Sequence, residues 1–335
     1  AGTLVYAMRG WPDRYPAHRV FLVSCLLGAL ANAAVLLRPE SFAWFVAARM
    51  LTGFCLAGIY PVGMKLAASW YREGLGWAIG LLVGALVLGT ALPHLLRTTA
   101  LPWRPVVVST SALAVLGGLL VGRLVPEGPY VRRGARFEVR EALAIFGRPG
   151  FRRAALGYFG HMWELYAFWA FVPLAVAHVL RRDAAATEVA WWSFAIIGAG
   201  LCGCAIGGRI AMRTGSAKVA TVLLATSGLA CLCSPWLLAA PPAVALPLLV
   251  LWGVAVVGDS PQFSALAARA APPTLVGTGL TLMTAVGFGL TIGSISLLGA
   301  LAEGGELRWL FVWLLPGPVL GVIAMLPLWR GEGTH

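Results

Sequence analysis

Ten apolar runs follow one another along this chain, at roughly 20–38, 42–68, 74–96, 104–125, 153–180, 189–208, 219–240, 243–268, 275–301 and 308–329. Each is long enough to cross a hydrocarbon layer of about 30 Å as a helix. A chain that buried all ten inside a water-facing globule would need a polar coat. It has only 13 acidic residues and 11% charged residues in 335, where a soluble domain carries about 25%. A soluble fold is thereby excluded, and the sequence reads as an all-α membrane protein that passes the bilayer many times.

The net charge of +12 has an ordinary cause in such a chain. Eighteen of the 25 Lys and Arg residues lie in 9–19, 65–73, 123–153, 209–218, 269 and 330, and six lie in the alternate loops. The richer side is cytoplasmic by the positive-inside rule. The basic balance therefore orients the chain, and no nucleic-acid partner is expected; the partners expected are the lipid bilayer and a small-molecule substrate. The cysteines Cys25, Cys55, Cys202, Cys204, Cys231 and Cys233 all sit in apolar runs. No His or Asp accompanies the two C-x-C pairs at ligand spacing, so no metal or other cofactor is expected and the thiols read as small packing residues. Nor is there a G-x-S-x-G elbow, an H-E-x-x-H or a paired-carboxylate motif. The chain does not read as an enzyme.

The longest polar stretch, 126–152, divides the runs into two groups. It is expected to be a cytoplasmic linker between an N-terminal helical bundle over 1–125 and a C-terminal bundle over 153–335. The two groups repeat each other. TGFCLAGIYPVGMKLAA (52–68) aligns without gaps on WGVAVVGDSPQFSALAA (252–268) at an offset of 200, matching Gly53, Gly58, Pro61, Leu66, Ala67 and Ala68 to Gly253, Gly258, Pro261, Leu266, Ala267 and Ala268. Both copies begin on the outer side, which makes them parallel repeats. In that register the partner of 153–180, and half the partner of 189–208, would precede residue 1. The expectation is an N-terminally truncated twelve-helix protein.

These features resemble the major facilitator superfamily of secondary transporters. Its loop signature G-x-L-A-D-R-x-G-R-R resembles GRIAMRTGSAK (208–218) in Gly208, Ala211, Arg213 and Gly215, with Met212 in place of the Asp. A first copy, RGWPDRYPAHR (9–19), supplies Asp13 and Arg14. The family's fourth-helix pattern R-x-x-x-G resembles Arg49–Gly53. The resemblance implies two six-helix bundles that rock about a central cavity, with 42–68, 153–180 and 243–268 among the helices lining it. It also implies a gating role for Asp13, Arg14, Gly208, Arg209, Arg213 and Gly215, in which Asp13 caps or faces a neighbouring helix N-terminus.

Charged groups deep in a bilayer are costly and usually functional. Glu164 lies about eleven residues into its run, roughly 16 Å deep and near the midplane. His161 is three residues earlier, on nearly the same face. Glu164 is the candidate protonatable coupling group, and His161 could share or relay its proton. The alternative for Glu164 is a structural hydrogen bond to a neighbouring helix. Asp259 could bind a cation, pair with Arg49, or simply cap a break at Pro261. Arg49 resembles the family residue associated with proton coupling. Tyr60 stands one residue past the position matching Asp259 and is expected to reach the cavity. Trp163 belongs to an aromatic cluster that serves either solute stacking or packing. The Gly-Pro signature of the family's antiporters is missing from GLLVGALVLGTALPH (80–94). The expected function is therefore proton-coupled uptake of a small organic or anionic solute by a monomer in the cell membrane. Proton-driven efflux and a non-transporting sensor stand as alternatives.

Overall fold

The structure, a computed structural model, describes residues 2–9, 11–99, 102–130, 143–181, 185–305 and 307–331. Among these residues there is no strand, as a bilayer demands of any span that does not close into a barrel. The helices are α1 (Gly2–Met8), α2 (Trp11–Arg14), α3 (Ala17–Ala34), α4 (Phe42–Leu56), α5 (Tyr60–Trp70), α6 (Leu75–Leu96), α7 (Trp103–Leu124), α8 (Pro149–Leu180), α9 (Ala186–Gly198), α10 (Gly200–Thr214), α11 (Ser216–Ala239), α12 (Pro242–Gly258), α13 (Ser260–Ala270), α14 (Val276–Glu303) and α15 (Pro316–Trp329). Ten spans among the described residues are long and apolar enough to cross a membrane, and each overlaps one of the ten runs seen in the sequence. Three of them are pairs of helices in tandem: α4–α5, α9–α10 and α12–α13.

Two of those interruptions are the sequence repeat made visible. The α4–α5 span breaks over 57–59 and the α12–α13 span breaks at Asp259. Both breaks come just before the matched prolines Pro61 and Pro261. Proline has no N–H to give the carbonyl four residues back. In the second copy the freed carbonyl is that of Val257, and the Cys204 thiol donates to it at 3.6 Å.

The chain packs as two units. The first holds Ala1–Arg72, Leu101–Arg148 and Ala271–Ala285; the second holds Glu73–Ala100, Pro149–Ala270 and Val286–His335. In the first unit α3 lies against α7 and α4. Asn32 on α3 donates to the Ser111 hydroxyl at 2.8 Å, the Thr110 hydroxyl at 3.2 Å and the Val107 carbonyl at 3.3 Å. The start of the expected linker closes the end of the unit. Glu127 accepts from the Ala17 N–H, the Ser69 hydroxyl accepts from the Gly128 N–H, and Trp70 Nε1 donates to the Pro126 carbonyl. The remainder, 131–142, lies outside the described residues.

In the second unit α8 runs for 32 residues and packs against α9, α12, α13 and α15. Helix α6 packs on α10 through small residues. A Cβ on Gly80 would stand 2.8 Å from the Cys204 carbonyl, and one on Gly208 would stand 2.9 Å from the Trp77 Cα. Small-residue crossings of this kind let two backbones approach closely where lipid offers no hydrophobic drive to pack. The outward faces of both units carry exposed large apolar side chains, Leu30 and Leu113 on the first and Leu251 and Leu320 on the second. That is the coat of a lipid-facing protein.

Candidate functional site

Helix α8 carries Glu164 and His161 one turn apart, and both are buried with 1% of their surface exposed. They meet different partners. The Glu164 carboxylate accepts from the Ser227 hydroxyl of α11, from Trp252 Nε1 of α12 at 3.1 Å, and from the Cys231 thiol at 3.3 Å. Trp252 Nε1 also donates to the Ser227 hydroxyl at 2.9 Å. The Trp252 ring packs on Phe168 and Phe311. Three helices are thus tied through one carboxylate oxygen, and a buried acceptor with three donors meets the requirement that buried polar groups be satisfied.

His161 faces Asp259, not Glu164. Its Nδ1 lies 2.8 Å from Asp259 Oδ1, an ion-pair distance outside hydrogen-bond geometry. Asp259 is completely buried. Among the described residues, neither His161 Nε2 nor Asp259 Oδ2 has a hydrogen-bond partner. The rings of Tyr158 and Phe263 wall the pair at centroid distances of 5.8 and 6.1 Å from the imidazole. The pair bridges α8 and the proline break between α12 and α13.

The partners of Arg49 lie in its own unit. It donates to Asn32 Oδ1 and, at 3.3 Å, to the Thr52 hydroxyl. It lines a pocket of about 360 Å³ together with Glu40, Phe45 and Trp103. Tyr60 is the partly buried first residue of α5, directly after the break. Trp163 donates from Nε1 to the Trp313 carbonyl at 3.4 Å and lines an apolar groove with Leu156, Gly160 and Leu320.

Of the loop residues, Asp13 is the one the fold captures. Only 3% exposed, it accepts from the N–H groups of Gly277 at 3.0 Å and Thr278 at 2.5 Å, in the first turn of α14. A negative charge there complements the helix dipole and the free N–H groups. Lys65 completes the arrangement, its Nζ 2.9 Å from Asp13 Oδ1. The expectation that Asp13 faces a helix N-terminus matches this geometry. The charge count places Lys65 with a loop, but it sits buried inside α5. A lone cation within an apolar helix is the signal that could have found it. Arg14 is exposed, with its guanidinium 5.6 Å over the Tyr15 ring. Arg209 and Arg213 are exposed on α10. Gly208 is buried against α6, and Gly215, at φ +91°, makes the turn from α10 into α11.

The described residues thus hold ten spans able to cross a membrane, a twofold internal repeat and a buried acid on a helix N-terminus. Residues 5–294 match the family model of the Major Facilitator Superfamily. The chain belongs to the Major Facilitator Superfamily. It is a multi-pass membrane protein with the fold of that family's transporters. No curated protein sequence matches it. Among solved structures, the human organic anion transporter MFSD10 (TETRAN) is 18% identical, with 97% of this chain and 80% of that one covered at a TM-score of 0.77. A variant of the E. coli fucose:proton symporter FucP is 15% identical, with 97% and 85% covered at 0.71. A bacterial homologue of the iron transporter ferroportin, in its outward-facing state, is 18% identical, with 99% and 88% covered at 0.71. At these identities the likeness is one of fold.

Proposed function

We propose that this superfamily member is a proton-coupled carrier that takes up a small organic or anionic solute across the cell membrane by alternating access. The observation that carries the reading is the burial of three titratable groups, His161, Glu164 and Asp259, inside membrane-spanning helices of one packing unit. Ionisable groups so placed are expensive to keep and mark ion or proton pathways. Arg49 would serve solute or coupling chemistry in the other unit, and the loop residues around Asp13 and Gly208–Gly215 would serve gating. No cofactor is needed, because a proton gradient supplies the driving force. The carrier would work as a monomer in lipid. A fucose:proton symporter and an organic anion transporter among the structural neighbours are consistent with this class of substrate and coupling.

Reconstitution into proteoliposomes tests it. A panel of monosaccharides and of mono- and dicarboxylates is offered with an imposed pH gradient of either sign, and with none. Acceleration of entry by external acid supports symport. Acceleration only by internal acid replaces it with antiport. Flux indifferent to both gradients refutes proton coupling, and no flux for any solute favours a sensor.

A further inference from the structure

The two buried carboxylates of the second unit are built differently, and the difference assigns them different work. Around Glu164 every contact holds the group still. Its oxygen receives donors from α11 and α12, and one donor, the indole N–H of Trp252, cannot act as an acceptor. Moving this carboxylate means breaking a junction of three helices. The His161–Asp259 pair is the opposite case. Its two groups face each other at 2.8 Å, while the far atoms, His161 Nε2 and Asp259 Oδ2, are buried and have no side-chain hydrogen-bond partner among the described residues. A proton can leave this pair without pulling apart a junction of three helices.

The pair also sits where a change of charge can become a change of shape. His161 comes from the long continuous helix α8, and Asp259 from the one-residue break before Pro261. Among the described residues, the titratable groups near the pair are Tyr158 and Glu164 on α8, and Cys204 from α10. Cys231 from α11 faces Glu164. The remaining charged residues of these helices lie toward their ends.

Resting on the proton-coupled reading above, we infer that His161 and Asp259 together hold the one exchangeable proton of this unit, and that Glu164 is a fixed tie that does not titrate in the cycle. With the proton bound, the pair is imidazole and carboxylic acid, with the proton on Asp259, and is neutral overall. Release of that proton to water leaves imidazole and carboxylate, with one net negative charge. A buried charge stripped of its partner is strongly unfavourable. Its relief is movement of α13 about the Pro261 break, away from α8 or toward water. A difference in proton affinity between two conformations is what couples a proton to a conformational equilibrium.

Infrared pH-difference spectroscopy of the purified protein tests this without knowledge of the solute. Between about pH 5 and about pH 8 the wild type is expected to show the appearance and loss of one protonated-carboxyl band. Asp259→Asn should abolish that band, Glu164→Gln should leave it, and His161→Gln should move its midpoint by about one pH unit or more. A band that survives Asp259→Asn, a band lost in Glu164→Gln, or no band in the wild type overturns the inference. If Asp259→Asn does not yield a monodisperse protein, His161→Gln decides alone, and an unmoved midpoint is then the overturning result. Gradient-indifferent flux in liposomes beside an intact band at Asp259 would remove the transport reading and leave the proton site standing, so the two failures are distinguishable.

Discussion

Replacing Asp13 with Asn isolates the junction of α5 and α14. The carboxylate is buried, accepts two backbone N–H groups from α14, and lies 2.9 Å from Lys65 Nζ, itself 1% exposed. Asparagine keeps the shape and one acceptor oxygen but loses the charge. It takes the anionic counterion from a buried ammonium, and breaking a buried pair from one side costs about 3–5 kcal/mol. Lys65→Met removes the cation instead. Asp13 then still has two N–H donors and the positive end of a helix dipole, so the cost should be smaller, about 1–3 kcal/mol. The double variant removes both charges of the pair and loses only a weakened cap, about 1–2 kcal/mol. The two changes should therefore be non-additive, with the double variant more stable than Asp13→Asn alone.

A thiol-reactive fluorophore reads unfolding in detergent directly, because Cys25, Cys55, Cys204 and Cys231 are buried and become reactive only as the fold opens. Cys202 and Cys233, already exposed, supply a constant background. At about 2 °C per kcal/mol for a chain of this size, Asp13→Asn should lower the midpoint by about 6–10 °C, and the double variant should regain more than half of that. If the double variant melts no higher than Asp13→Asn, or if Lys65→Met alone is as damaging, the pairing argument is wrong.

Two further outcomes follow from the second unit. Trp252→Phe removes the donor that serves both Glu164 and Ser227 while keeping an aromatic ring between Phe168 and Phe311, so the loss should be about 1–3 kcal/mol in the same melting assay; a change within error would mean that the indole N–H is not needed there. Gly80→Leu should prevent isolation of a monodisperse protein, since its Cβ would come within 2.8 Å of the Cys204 carbonyl. Gly89→Ala, with nothing within 4 Å, should be neutral or gain about 0.5–1 kcal/mol, and gel filtration of the two variants separates a packing requirement from a general intolerance of α6.

The spans were readable because eighteen or more apolar residues in a row have few other fates. The twin breaks were readable because Pro61 and Pro261 sit at one offset in two copies of one segment. What surrounds Glu164 was not. Ser227, Cys231 and Trp252 look like ordinary packing residues in apolar helices, and Cys231 reads as one until three helices bring its thiol to a carboxylate. His161 and Glu164 share a helical face by spacing, which suggests a common proton. Spacing along one helix says nothing about which neighbour each side chain meets, and here His161 meets Asp259, 98 residues away. Lys65 shows the reverse case. Its charge suggested a loop, yet a partner 52 residues earlier in the chain permits it inside a helix.

The repeat also shows where the two halves have parted. Met212 takes the place in the second loop copy that Asp13 holds in the first, and Ala265 stands 200 residues after Lys65. The first copy therefore keeps its loop acid on the α14 N-terminus, and the second copy lacks the matching acid beside the α6 N-terminus. Met212 lies beside that N-terminus, its sulfur 3.6 Å from where a Gly74 Cβ would be. A pocket of about 260 Å³ there is lined by Glu73, Gly76, Trp77, Met212, Ser216 and Arg269, among others. The first turn of α6 borders this pocket, and an added acid there would share it with Arg269 and Glu73. Met212→Asp should accordingly restore the missing cap and stabilise the protein by about 0.5–1 kcal/mol at low salt, with the gain shrinking as salt screens it. The shift in melting midpoint would be about 1–2 °C upward. A downward shift at low salt would mean that the second loop has lost the geometry of a cap along with its acid, and that the two copies now close their helices by unrelated contacts.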